Sequence, residues 1–277
     1  MIDLHLHTTA SDGRSTPEQL IQRAAAAGIT TLAVTDHDTM AGLPAARRAA
    51  AAAGITVIPG IEITSVHQSK DVHMLGYFID EGDAELAAFL VKQRADRRRR
   101  IEEMLDRLEA LDVMLERDAL MRQAEGQGKA IGRPVIARAL IAGGHVRDMS
   151  EAFDRFLSPG RPAFIPRLGA TPAEVVAIVA RAGGIASFAH PGKLGFDDLI
   201  PDLARAGLDA VEVFHPDHDD VLVARYQRLA AEHGLLTSGG SDDHGPGADR
   251  PDTIGTVTLP PDAFERLAAR AHARRPH

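Results

Sequence analysis

Apolar and polar positions follow one another in short alternating runs separated by longer amphipathic stretches. Residues 2–7 (I-D-L-H-L-H) make the first run. With a strand period of two, Leu4 and Leu6 share one face while His5 and His7 share the other. A polar loop follows at residues 8–14. Thr16 with Pro17 reads as an N-cap and first helical position, opening a helix to Ala27 that Gly28 stops. Residues 31–35 read as a second strand ending in Asp36-His37-Asp38, and residues 40–53 as an alanine-rich helix closed by Gly54. A third strand at residues 56–58 leads through Pro59-Gly60 to Ile61-Glu62-Ile63. A fourth, at residues 71–78, carries His73 near its start. Strand and helix in turn predict a parallel sheet or barrel.

The strand pattern then disappears. Residues 85–111 predict a long charged helix, followed by shorter ones at 116–124, 133–142 and 150–156. We expect an α/β main body built from residues 1–82 and 162–277, with an all-helical insertion at residues 83–161. The alternation resumes with a helix at 171–182 and a strand at 184–189 that ends in His190-Pro191. A helix at 199–206, a strand at 210–214 ending in His215-Pro216, and a helix at 219–233 come next. A strand at 235–240 ends in Ser241-Asp242-Asp243-His244. Residues 253–259 are expected to add an eighth, peripheral strand before a last helix at 262–272.

Nearly every expected strand ends at, or carries, a residue able to bind a metal: His5, His7, Asp36, His37, Glu62, His73, His190, His215, Asp242 and His244. In a β/α barrel the strand ends converge on one mouth, where sites form. A lone H-x-H means little, but this regularity argues for a multinuclear site. Nitrogen and carboxylate donors without thiolate suit Zn²⁺, Mn²⁺ or Fe²⁺. Clustered divalent ions suit hydrolysis of phosphate esters.

Composition narrows the picture. The 277 residues contain no Cys, which removes disulfides, thiolate nucleophiles and Cys-based zinc sites and fits the cytoplasm. A net charge of −8 gives no general attraction for nucleic acid, so an anionic substrate needs a local positive cluster. Aromatics at 4% leave few stacking platforms for long strands. No secretory signal or membrane-spanning run is expected, and no obligate protein partner is evident.

The segments His5-Leu6-His7 with Asp12-Gly13, Thr35-Asp36-His37-Asp38-Thr39, Pro59-Gly60-Ile61-Glu62, Ala189-His190-Pro191 and Ser241-Asp242-Asp243-His244 resemble the motifs of the PHP (polymerase and histidinol phosphatase) family. The chain most resembles its stand-alone bacterial phosphoesterases, such as those acting on 3′,5′-nucleoside bisphosphates. That resemblance implies a distorted (β/α)7 barrel and three divalent ions, with Mn²⁺ preferred and Zn²⁺ or Fe²⁺ as alternatives. The first ion would take His5, His7, Glu62 and Asp242. The second would take Glu62, His73 and His190, and the third Asp12, His37 and His244. Three divalent ions against three carboxylates leave about +3 to hold a phosphate and a hydroxide. Family sites sometimes have His where this chain has Asp12.

Asp36 and Asp38 flank His37 and are expected to orient imidazoles; Asp36 is carried with His215 as a catalytic candidate. His215 would touch the phosphate or protonate the leaving oxygen, with a structural hydrogen bond as the alternative. Asp243 would orient an imidazole or cap a turn. The remaining histidines (67, 145, 218, 233, 272 and 277) are left outside the chemistry. Substrate candidates are Asp12 and His37 at the metals, and a clamp from Arg97, Arg98, Arg99 and Arg100 with Gly132 and Arg133 at a helix start. Arg167 is a weaker candidate. The family often has Gly-Arg-Pro-His where this chain has Gly132-Arg133-Pro134-Val135, so a role carried by that His is absent. The expected activity is hydrolysis of a phosphate monoester of a small nucleotide, pAp to AMP. A 5′→3′ exoribonuclease on short RNA, a histidinol-phosphate phosphatase and a non-catalytic PHP module are the alternatives.

Overall fold

The computed structural model describes residues 1–125, 133–166, 168–247 and 252–274. The elements run β1 (Ile2–Leu6), α1 (Pro17–Ala26), β2 (Thr31–Val34), α2 (Leu43–Ala53), β3 (Thr56–His67) and β4 (Lys70–Tyr77). They continue with α3 (Ala84–Glu109), α4 (Arg117–Glu125), α5 (Arg133–Ala142), α6 (Met149–Ala152), α7 (Pro172–Arg181), β5 (Ile185–Phe188) and α8 (Pro191–Leu194). The last are α9 (Leu199–Arg205), β6 (Ala210–Phe214), α10 (Asp220–Glu232), β7 (Leu236–Gly239) and α11 (Pro261–Arg274). Helix starts follow local chemistry. Thr16 with Gln19, and Thr171 with Glu174, form reciprocal capping boxes, each followed by Pro at the helix start.

Seven strands make one curled sheet in the order β1-β2-β3-β4-β5-β6-β7. It is not wholly parallel. β3 pairs with β2 in parallel through residues 56–59, then with β4 antiparallel from Gly60 to His67. β4 is also antiparallel to β5. The reason is the connection: only Gln68 and Ser69 separate β3 from β4, and both have positive φ (48° and 63°). Two such residues make a tight hairpin, whereas a parallel neighbour needs a crossover of about a dozen residues. The reversal also explains why His73 belongs near the start of its strand: that end of β4 lies at the mouth.

Just beyond β7, Asp243 bridges to Leu6 of β1, with the His7 N–H donating to the Asp243 carbonyl at 2.9 Å. Gly240 permits this approach, since a Cβ there would lie 2.4 Å from the His5 nitrogen. The expected eighth strand does not form. Residues 253–256 turn on a Thr256 N–H to Thr253 carbonyl bond, with Gly255 at φ 74°. Leu259 meets β1 through one hydrogen bond to Ile2.

Apolar burial anchors the sheet on all sides. Leu6, Leu32 and Val34 pack with Leu20 and Ile21 of α1 and Leu43 of α2. Leu4 and Tyr77 pack with Leu267 of α11, and Ile61, Met74, Phe188 and Val211 pack with Val175 of α7, Leu203 of α9 and Tyr226 of α10. Between β4 and β5, the described residues contain helices and no strand. They carry a separate buried cluster drawn from residues 101–165, including Ile101, Met104, Leu108, Ile136, Leu140 and Leu157. Among the described residues, no helix is long and apolar enough to cross a membrane.

Candidate metal centre

The Glu62 carboxylate stands at the middle of the mouth. His73 Nδ1 and His190 Nε2 lie 2.8 and 3.1 Å from its Oε1. His5 Nε2, His7 Nε2 and His37 Nδ1 lie 3.2, 3.2 and 3.3 Å from its Oε2. Asp242 Oδ1 completes one side, 3.4 Å from His5 Nε2 and 3.2 Å from His7 Nε2. On the other side the Asp12 carboxylate is 3.4 Å from His244 Nε2, 3.8 Å from His37 Nε2 and 3.7 Å from His7 Nδ1. Three overlapping groups have donor atoms within 4.8 Å of one another: His5, His7 and Asp242; His37, Glu62 and His73; and His7, Asp12, His37 and His244. A cavity of about 390 Å³ opens above them, lined by Asp12, His37, Glu62, Asp71, His73, His190, Lys193, Leu194, Asp242 and His244. Asp38, His190 and Asp242 hold positive φ (52°, 28° and 49°), which places the kinks of the chain at this mouth.

The donors are arranged for cations and not for each other. His5 Nδ1 lies 2.8 Å from Glu212 Oε1, so it carries the proton in a neutral ring. Its Nε2 then presents a lone pair to two carboxylate oxygens, which is repulsive unless a cation lies between or the ring is doubly protonated. Among the described residues, neither ring nitrogen of buried His7, nor Nδ1 of His37, finds a hydrogen-bond partner of acceptable geometry. Separations of 3.2–3.4 Å match two ligands about 2.1 Å from one ion, subtending an angle near tetrahedral. The donor set therefore fits divalent metal.

Without metal, the cluster is electrostatically tense. Burial alone opposes ionisation of Glu62, yet the charges of His37, His73 and His5 hold it well below the usual carboxylate range. Burial likewise opposes protonation of His5 and His7. The carboxylates of Glu212, Asp242 and Glu62 outweigh it at His5, and Asp242, Glu62 and Asp12 raise His7 to about 10. Burial prevails at His37, pushed down to about 4.

Four residues here were not singled out from the sequence. Glu212, fully buried on β6, accepts from His5 and also from the His190 backbone N–H at 2.7 Å. Its signal was available: an acid inside the apolar run A-V-E-V-F must have a partner. Asp3 shares the face of His5, accepts the Ser241 N–H at 2.9 Å, and is raised by burial to about 6. Asp71 and Lys193 line the cavity.

The other candidates are placed differently from one another. Asp36 orients no imidazole: its carboxylate accepts the Thr8 N–H (2.7 Å), the Thr8 hydroxyl (2.7 Å) and the Ser11 hydroxyl (2.6 Å), fixing the loop that carries Asp12. Asp38 accepts the Thr64 N–H at 3.0 Å and pairs with Arg97. Asp243 pairs bidentately with Arg23 at 2.7 and 3.0 Å. His215 is buried and does not line the cavity. Its Nδ1 accepts the Asp217 N–H at 3.0 Å, which leaves the proton on Nε2, 3.3 Å from Asp242 Oδ2. His218 accepts the Gly192 N–H and bonds the Val213 carbonyl, a structural role.

The structure separates the arginines. Arg97 faces Asp38 at the mouth, with Arg94 donating to the Asp38 carbonyl at 3.2 Å. Arg98 and Arg99 pair with Glu102 and Glu103, one turn on along α3. Arg100 is buried and donates to the Ile165 carbonyl at 2.9 Å. Arg133 stacks near Phe153 and Phe164 and reaches the Leu157 carbonyl at 3.4 Å. None of these lines the cavity. Gly132, Arg167 and His277 lie outside the described residues.

Residues 3–123 match the family model described as PHP domain. The chain is 37% identical over 265 residues to a 3′,5′-nucleoside bisphosphate phosphatase of Chromobacterium violaceum, covering 94% of this chain and 93% of that protein. It is 34% identical over 251 residues to the 5′-3′ exoribonuclease Rnm of Escherichia coli, covering 88% and 85%. A solved structure from Bifidobacterium adolescentis, assigned as a metal-dependent phosphoesterase, superposes with a TM-score of 0.81 at 34% identity, covering 97% of this chain and 96% of that one. A curled seven-stranded sheet with this donor cluster at its mouth defines a metal-dependent phosphoesterase, a hydrolase of phosphoester bonds. The chain belongs to the PHP family.

Proposed function

We propose that this enzyme removes one phosphate from a small nucleotide carrying two, with adenosine 3′,5′-bisphosphate as the substrate and AMP and phosphate as products. The observation that carries the reading is the Glu62-centred cluster beneath one open cavity of about 390 Å³, large enough for a phosphate and part of a nucleoside. The identity of 37% over nearly the whole of a bisphosphate phosphatase supports the substrate. A second reading, 5′→3′ cleavage of short RNA, is favoured by the similarity to Rnm and needs only that the same cavity accept a strand end.

Three divalent ions, Mn²⁺ by preference, would be held by His5, His7, Glu62 and Asp242, by Glu62, His73 and His190, and by Asp12, His37 and His244. His37 and His7 each stand in two of the observed groups, so they would tie neighbouring positions together. Such ions would supply an acidified water and neutralise charge on the phosphoryl group. The chain's own residues do the rest. Glu212 holds His5 in one tautomer and fixes the His190 turn. His215 holds Asp242 through Oδ2, a positioning role in place of direct proton donation. Asp36 shapes the loop of Asp12. Residues 83–161 would form a cap, with Arg97 at its contact with the mouth reaching a second phosphate once released from Asp38.

The test is phosphate release by Mn²⁺-loaded protein from adenosine 3′,5′-bisphosphate, AMP, histidinol phosphate and short 5′-phosphorylated RNA. Turnover fastest on the bisphosphate, and abolished by His37→Ala with the fold intact, supports the proposal. No turnover on any substrate refutes it. An unchanged rate in Arg97→Ala removes the clamp while sparing the metals.

A further inference from the structure

Among the described residues, Lys193 is the one Lys or Arg that lines the cavity. We infer that Lys193, and not the arginines of α3, binds the phosphoryl group placed at the cluster; the inference rests on the phosphoesterase reading and names a substrate contact for it.

The argument is one of placement and of spare bonding capacity. Lys193 sits on α8, the single turn that follows His190, so the backbone that carries a donor of the cluster also carries this ammonium. Its Nζ lies 3.0 Å from Asp242 Oδ2 and 2.9 Å from Asp217 Oδ2. Asp242 Oδ1 faces His5 and His7 at 3.4 and 3.2 Å, which puts the ammonium one carboxylate away from the imidazoles. A group bound at the cluster is therefore within its reach.

The ammonium is not needed where it rests. Asp242 Oδ2 already accepts from His215 Nε2 at 3.3 Å, and the Asp217 N–H fixes that tautomer. Lys193 Nζ and His215 Nε2, 3.4 Å apart, are then both donors to the same oxygen and make no bond to each other. Asp217 is more than half exposed and a weak hold. Lys193 is itself about a third exposed, on a flexible four-carbon stem. It can leave Asp242 for a phosphate oxygen at little cost, because His215 keeps the carboxylate in place. In an acidic chain whose Arg97, Arg98, Arg99, Arg100 and Arg133 are engaged by Asp38, Glu102, Glu103 and main-chain carbonyls, Lys193 is, among the described residues, the Lys or Arg facing the cavity.

The test uses the full chain loaded with Mn²⁺ and inorganic phosphate as the probe. Phosphate affinity is measured by calorimetry and by inhibition of turnover, and bound metal by elemental analysis. Lys193→Met should weaken phosphate about 10- to 100-fold with metal content unchanged, and Lys193→Arg should restore binding to within about threefold. Phosphate affinity of Lys193→Met within about twofold of wild type overturns the inference. So does a loss of phosphate binding matched by an equal loss of metal, since Lys193 would then only support Asp242. The calorimetric arm needs no turnover. Failure of every substrate in the wild-type screen would refute the proposed activity and leave this measurement standing.

Discussion

Replacing Glu212 by Gln tests the logic of the centre at a residue that contributes no ligand. The carboxylate accepts two hydrogen bonds in a fully buried setting, from His5 Nδ1 at 2.8 Å and from the His190 N–H at 2.7 Å. A glutamine has nearly the same shape, but it offers one carbonyl and must turn its NH₂ toward one of the two donors. One charge-assisted bond is lost and a donor is left opposed, about 1.5–3 kcal/mol. That corresponds to about a 10- to 100-fold loss of metal affinity if His5 must present Nε2 as a lone pair, the usual range for an outer partner of a metal-binding histidine. The assay is chelator competition with Mn²⁺, with circular dichroism to confirm the fold and turnover measured at limiting and saturating Mn²⁺. Activity should fall steeply at limiting metal and recover in large part at saturation. Metal affinity within about twofold of wild type would show that the His5 tautomer is not what the carboxylate controls.

Three further outcomes are expected. Arg274→Ala should lower unfolding free energy in urea by about 2–3 kcal/mol, because buried Asp209 loses a bidentate partner at 2.8 Å and keeps Arg270 at 3.2 Å and the Ala186 N–H at 3.1 Å. Asp36→Asn should reduce turnover about tenfold or more with little change in melting temperature, since the Thr8 hydroxyl then meets an NH₂ and the Asp12 loop loosens. Glu174→Ala should cost about 1 kcal/mol at neutral pH through loss of the α7 capping box. Hydrogen bonds from the Thr171 backbone and hydroxyl lower the Glu174 pKa, so the contribution is present above the ordinary carboxylate value and lost as pH falls through the lower folded one. Melting curves of variant and wild type should therefore converge as pH is taken below about 4.

The β/α order was legible because each element carries its own period and its own stops, as at Thr16-Pro17 and at Gly54. The antiparallel β4 was legible only in hindsight: Gln68-Ser69 is a polar pair too short for a crossover, but neither residue is the Gly or Asn that marks a hairpin. Residues 253–259 had the composition of a strand, yet Gly255 and one contact to β1 make a turn. At the centre, the donors on strand ends were visible because topology sends them all to one mouth. Their outer partners were not, since whether Glu212 meets His5 depends on which strands are neighbours in space. The Arg97–Arg100 run showed the limit of counting charges. Helical spacing put four arginines together in sequence and sent them in different directions, one toward Asp38, two along the helix and one into the interior.

The seam between β1 and β7 has a consequence for how the protein is made. His5, His7, His37 and Glu62 leave the ribosome early and lie on or just past strands that share a ladder, whereas Asp242 and His244, which finish the cluster, come from far along the chain. Without β7 and the close approach of Gly240 to His5, the N-terminal strands would hold imidazoles and a carboxylate with one flank open to water. Tight capture of metal would then be a late event, following closure of the sheet, and an ion acquired during synthesis would be held by fewer donors and exchange freely. A chain cut before residue 240 would lack Asp242 and His244, and it would hold an ion through fewer donors.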